Sequence, residues 1–203
     1  MASTPDGPIA GHAGGSGAPL LLLHGGPAHP DRIAGLAIVD PLGAVGDGGV
    51  TEMGQHLVNR LSPAAAERFG KVAARLAGPD PDDADALESL TLLWPGYFAD
   101  PAAAPPFPPH LQTSLTGYAE TFASAAAHLA SGFGEKLGGV RAPAVFVLGE
   151  RSPMPVSQGE QTADLLSSAE VDVIPGAGHL PWHEQPGCIA AALAAVRARA
   201  GAA

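Results

Sequence analysis

The chain has 203 residues, 46% of them hydrophobic, which is enough for one domain with a full core or a core plus a small module. Its net charge of −10 argues against nucleic acid or an anionic membrane surface as a partner. Cys188 is the single cysteine, so an intramolecular disulfide and a cysteine-based metal site are excluded. No stretch approaches the ~20 apolar residues that span a bilayer, and a cytoplasmic protein is the expectation.

Residues 1–18 are rich in Gly, Pro and Ala, with a poor strand near Ile9 and a loop at Gly14-Gly15-Ser16-Gly17. Residues 20–23 are four leucines, a run suited to a central parallel strand covered on both faces, and Leu36 to Val39 is a second such run. A loop follows at 43–49. From 51 to about 132 the pattern turns helical. Ser62 caps a helix with Pro63 at its first position. Phe69, Val72, Ala73 and Leu76 follow at i, i+3, i+4 and i+7, Glu67 faces Lys71, and Gly78-Pro79 ends the run. After an acidic loop at 80–85, a second helix carries Leu87, Leu90 and Trp94 and stops at Pro95. Residues 99–109 are irregular. A third helix aligns Leu111, Leu115, Tyr118, Phe122, Ala125 and Leu129 in one stripe and closes at Gly132. Strand and helix then alternate: a buried strand at 144–148, a helix to about Leu166 opened by a Ser157/Glu160 capping box, a strand at 171–174, a loop at 176–185, and a last helix from Pro186 with Arg197 and Arg199 in its final turns. The predicted fold class is α/β, a mostly parallel sheet flanked by helices, with a core of 1–50 and 133–203 and an all-helical insert of 51–132.

Two segments carry chemistry. In His24-Gly25-Gly26-Pro27, glycines after a strand let backbone N–H groups face a developing oxyanion; the plain alternative is a tight turn. His179, at the tip of the loop before the last helix, is placed to act as a general base. His183 lies four residues on, but Pro181 breaks the helix that would set the pair on one face for a metal, so no metal is expected.

Residues 8–41 and 140–200 together resemble the α/β-hydrolase fold family, in its prolyl-iminopeptidase-like and esterase-like branch. The stretch Gly176-Ala177-Gly178-His179-Leu180-Pro181-Trp182-His183-Glu184-Gln185-Pro186 resembles that family's catalytic-histidine loop, with His179 at the catalytic position. Phe146 to Pro155 looks like the strand and turn that supply the acid; there the acid position holds Ser152, leaving Glu150, or Asp40 or Asp47 after the previous strand, as candidates. The simpler role for Asp40 is a strand-end cap. Leu93 to Pro101 looks like a lid segment, which implies an apolar substrate pocket lined by Trp94, Tyr97 and Phe98, with Trp182; helix packing explains the same aromatics. The resemblance implies cleavage of ester- or amide-type bonds in a small apolar substrate, without a cofactor and with Gly25 and Gly26 at the oxyanion.

The family's nucleophile sits in a Gly-x-Ser-x-Gly elbow on a strand-to-helix turn. Ser16 is the nearest match and precedes the oxyanion strand, so it reads as a loop residue. Ser152 and Ser157 fall in the acid loop and at a helix cap, and Cys188 reads as buried and inert. The chain is therefore expected to be shortened between Pro27 and His29, with roughly sixty residues of strand–helix–strand missing. Only eleven residues, 24–34, join the two leading strands, too few and too rich in Gly and Pro for a helical crossover. An open slot, irregular pairing or self-association into a homo-oligomer would follow. The expected outcome is a weak or inactive hydrolase; the alternatives are a non-catalytic descendant that binds a ligand or partner, and a deleted fragment without function.

Overall fold

The structure, a computed structural model, describes residues 2–4, 7–9 and 33–201. The predicted strand at 20–23, the His24–Pro27 motif and Ser16 lie outside the described residues. Strands β1 (Ala2–Thr4) and β2 (Gly7–Ile9) pair antiparallel.

The main sheet has three parallel strands in the order β3 (Leu36–Val39), β4 (Ala144–Gly149), β5 (Ala169–Ile174). Register runs from Leu36 opposite Ala144 and from Ala144 opposite Ala169. All six residues of β4 are buried, because helices cover both faces. Side chains alternate across a strand. Val145 and Val147 therefore pack with Ala192 and Val196 of α8 (Cys188–Ala200), while Phe146 and Leu148 pack with Ala163 of α6 (Val156–Ala163) on the other face. β3 is half-buried at the edge of the described sheet, with Ala37 and Val39 packed toward the α8 side and Leu36 and Ile38 toward the α6 side. β5 is the other edge; Glu170 and Asp172 face solvent, and Glu170 pairs with Arg199 at the end of α8.

All elements between Val50 and Leu137 are helical: α1 (Val50–Asn59), α2 (Pro63–Leu76), α3 (Asp83–Leu93), α4 (Leu115–Ala130) and α5 (Phe133–Leu137). Ser62 caps α2 by accepting from the Ala65 N–H, and Lys71 reaches Glu67 at 2.7 Å. Three local expectations change. Trp94 does not extend the second helix; α3 passes into a 3₁₀ turn, Trp94–Tyr97, whose tighter winding accepts Pro95 at its start. The third helix opens at Leu115, where Ser114 caps it, so Leu111 stands outside. Its apolar stripe is the less exposed side of the helix, with Leu115, Phe122, Ala125 and Leu129 half-buried, although Tyr118 is 62% exposed. Ser157 does not cap α6, which starts two residues earlier than such a cap would set it, after Pro155, and ends at Ala163, short of Leu166.

Candidate active site

Asp40 ends β3, and its N–H still donates to the Val147 carbonyl at 2.9 Å, in line with the β3–β4 ladder. Its φ of 41° makes it the one non-glycine residue with positive φ among the described residues. Aspartate tolerates this region better than most side chains, but the conformation still carries a local cost, of the kind that concentrates at functional sites. The turn sends the carboxylate inward. The residue is 4% exposed, and its Oδ2 has no aligned hydrogen-bond donor among the described residues. The group it does meet is the imidazole of His179, with Nδ1 at 3.3 Å.

His179 arrives from the opposite edge strand. After β5 the chain turns at Gly176, with φ 66°. The Gly176 N–H donates to Glu150 Oε2 at 2.8 Å, which ties the loop to the end of β4. Gly178 lies so close to the 97–99 backbone that a Cβ there would collide with the Tyr97 carbonyl and stand 2.7 Å from the Ala99 nitrogen. The His179 N–H donates to that carbonyl at 2.7 Å, and the Tyr97 ring lies 5.4 Å from the imidazole. Burial raises the pKa of the Tyr97 phenol, with Tyr118 adding to the effect, so it stays a neutral donor at ordinary pH.

Ser152, at the position where the sequence resemblance expects an acid, also reaches His179. Its Oγ is 3.3 Å from Nδ1, the same ring nitrogen that faces Asp40, and it accepts the Met154 N–H at 3.0 Å. Asp40 and Ser152 thus crowd one side of the ring. A proton on Nδ1 would face the carboxylate, leaving Nε2 with its lone pair free to take a proton.

The remaining sequence candidates are placed as follows. Glu150 is exposed and engaged with Gly176, so it is not brought to His179. Asp47 accepts the N–H groups of Gly49 and Thr51 at the start of α1. Trp94, Tyr97 and Phe98 gather: Trp94 packs edge-on against Phe98 at 5.2 Å and Phe107 at 5.6 Å, and its indole N–H donates to the Pro105 carbonyl. Phe98 is 2% exposed, so its ring is packing, and Tyr97 is the member of the trio beside the imidazole. Trp182 stands apart from them at 44% exposure, against His183. Beside Ser152 opens a cavity of about 340 Å³, lined also by His56, Arg60, Ala99 and Arg151 and by none of those four aromatics. Among the described residues no group of three or more His, Cys, Asp or Glu gathers as a metal site, and no helix is long and apolar enough to cross a membrane.

Two participants escaped the sequence reading. Glu184 accepts the Gly178 N–H at 2.6 Å and the Ala99 N–H at 2.9 Å, and Arg60 donates to the carbonyls of Gly96 and Arg151. Glu184 lies within the histidine-loop stretch, which was the available signal; nothing in the local pattern of α1 marks Arg60.

No protein-family model matches the chain, and no curated protein matches it. Among solved structures it is similar to Est816, an N-acyl homoserine lactone degrading enzyme, at 22% identity and a TM-score of 0.43, over 82% of this chain and 59% of that one. It is also similar to the proline iminopeptidase of Mycobacterium smegmatis, at 18% identity and 0.49, over 85% and 60%. A membrane phospholipase A, a bacterial virulence factor, is similar at 23% and 0.43, over 83% and 51%. The chain thus spans between half and three fifths of the length of these structures. Its own layout, mixed α/β with a three-stranded parallel sheet flanked by helices, is consistent with a shortened α/β-hydrolase fold.

Proposed function

We propose that this chain is a hydrolase of ester- or amide-type bonds that works slowly and without a covalent serine intermediate. His179 is the general base. Asp40 is the acid that holds the ring with its Nδ1–H inward, so that Nε2 takes a proton from water as the water oxygen attacks the carbonyl carbon and the π electron pair moves to the carbonyl oxygen; as that pair returns, the C–O or C–N bond breaks and Nε2 gives its proton to the leaving alcohol or amine. Gly25 and Gly26 are the backbone donors to the oxyanion. Tyr97, beside the imidazole, is the aromatic on the apolar side of the substrate site, and Trp94 and Phe98 pack behind it. The observation that carries the reading is the 3.3 Å approach of a buried carboxylate to the His179 ring, between two loops 139 residues apart in the chain.

Among the described residues Ser152 is the serine within hydrogen-bond reach of that ring, and it is on the wrong nitrogen for a nucleophile. A triad serine faces the ring atom opposite the acid, whereas Ser152 shares Nδ1 with Asp40 and is only 9% exposed. Its place suits a neutral prop beside the ring.

The test uses p-nitrophenyl butyrate and a fluorophosphonate probe. Slow hydrolysis that falls about a hundredfold in His179→Ala, with no serine labelled, is the expected result. Stoichiometric labelling of any serine, Ser16 and Ser152 included, would replace this mechanism with a covalent one. Equal rates for wild type and His179→Ala would remove His179 as the base. No turnover, together with saturable binding of an apolar ester, would make the chain a binding descendant.

A further inference from the structure

We propose that Glu184 is a positioning residue: its carboxylate latches the His179 loop to the 97–99 segment and so sets where the imidazole stands relative to Asp40. The inference rests on the reading of His179 as the base.

Glu184 ends the one-turn helix α7 (Pro181–Glu184). Its helix neighbours Trp182 and His183 are exposed, but its own side chain folds back toward the site. Each oxygen accepts a different backbone N–H, Oε2 from Gly178 and Oε1 from Ala99. Neither amide belongs to a helix or strand, and a backbone donor in a packed junction needs an acceptor. A charged acceptor makes both bonds stronger than carbonyls would. Gly178 is the residue before His179, and Ala99 is two after Tyr97, whose carbonyl takes the His179 N–H. One carboxylate therefore closes a ring of backbone contacts around the base.

Arg60 completes the junction from the α1 side. Nη1 donates to Gly96 at 2.6 Å and Nη2 to Arg151 at 2.8 Å, while the Arg151 N–H donates to Ala177 at 2.8 Å. Burial lowers the pKa of the guanidinium and the negative charge of Glu184 opposes that shift, so the two charges act on each other across the junction. Segments 96–99, 149–152 and 176–179 are thus stitched together by backbone bonds with one anion and one cation among them.

The experiment follows amide hydrogen exchange, the His179 ring-proton shifts and ester hydrolysis in the full chain. In Glu184→Ala, the Gly178 and Ala99 amides should exchange roughly tenfold faster or more, with β4 amides unchanged. In Glu184→Gln one oxygen remains, so only one of the two amides should be released. The ring protons of His179, set partly by the Tyr97 ring, should move in Ala and recover in part in Gln. For p-nitrophenyl butyrate, kcat should drop about tenfold with KM within about twofold, and Gln should restore part of the loss. Unchanged exchange at both amides overturns the proposal, as does equal acceleration across β4, which would make Glu184 a general stabiliser. An unmoved His179 ring or an unchanged kcat with both amides released also overturns it. If Glu184→Ala does not fold, the Gln variant alone decides between one amide released and none. A wild type without hydrolysis sinks the proposed reaction, whereas the exchange and ring-shift results still decide the latch.

Discussion

Replacing Gly178 by alanine puts one methyl group into the tightest backbone approach of the site. The new Cβ would stand 2.7 Å from the Ala99 nitrogen and 2.8 Å from the Phe98 carbonyl carbon, and would overlap the Tyr97 carbonyl oxygen. Ordinary contact begins near 3.4 Å, so the backbones must separate by about 1 Å at the Tyr97 carbonyl. All three close atoms are main chain, and no side chain can rotate away. The retreat strains three bonds at once: His179 to Tyr97, Gly178 to Glu184, and Ala99 to Glu184. Overpacking costs about 1–3 kcal/mol and each compromised bond about 1, which puts the loss near 3 kcal/mol after partial relaxation. For a chain of this size that is a fall in Tm of about 6–12 °C. Urea and thermal unfolding read the change, and Gly70→Ala is the control. Gly70 is exposed inside α2 with nothing within 4 Å of a built Cβ, so its substitution should stabilise by about 0.5–1 kcal/mol. A Gly178→Ala variant within about 0.5 kcal/mol of wild type would refute the close approach and the loop placement built on it.

Asp40→Asn keeps the shape and the tolerance of positive φ while removing the charge beside His179. Ester hydrolysis should fall at least about tenfold with Tm nearly unchanged, and an unaltered rate would exclude Asp40 as the acid. Phe98→Ala deletes a ring that is 2% exposed at the centre of the aromatic cluster, and should cost about 3–5 kcal/mol by urea unfolding. The carboxyl of Asp47 is held below its ordinary value by Thr51, first through its side chain and then its N–H, and by the Gly49 N–H. A depressed folded-state pKa contributes stability above the unfolded value, about 4, and that contribution is lost as pH falls through the folded one. Wild type should therefore exceed Asp47→Ala in urea midpoint at pH 7, and the gap should close below pH ~4; a gap constant from pH 7 to 3 would contradict the bond pattern.

Much of the scaffold was legible along the chain. The apolar run at 144–148 needed only its continuity to be read as a buried strand, since burial on both faces erases alternation. Ser62-Pro63 and the Glu67–Lys71 pair depend on neighbours within four residues, and they stand where the pattern put them. The errors came where distant partners decide. The α4 stripe has helical spacing, and Leu115, Phe122, Ala125 and Leu129 are its half-buried side; spacing reports that a face exists, not how deeply it is covered. Ser157 and Glu160 have capping-box spacing, yet the helix enters two residues sooner, after Pro155.

By itself, the order of residues determined the alternation of strand and helix, the helical block, and the loop that presents His179, because each follows from local periodicity, caps and turn chemistry. Which carboxylate meets that histidine was decided by tertiary structure alone. Glu150 is nearer in the chain, but parallel pairing of β3 with β4 and of β4 with β5 brings the ends of the two edge strands to the same rim of the sheet, and there Asp40 turns inward. The same holds for Ser152, Glu184 and Arg60: their partners lie on other segments, and a contact across the fold leaves no mark on the residues beside it in the chain.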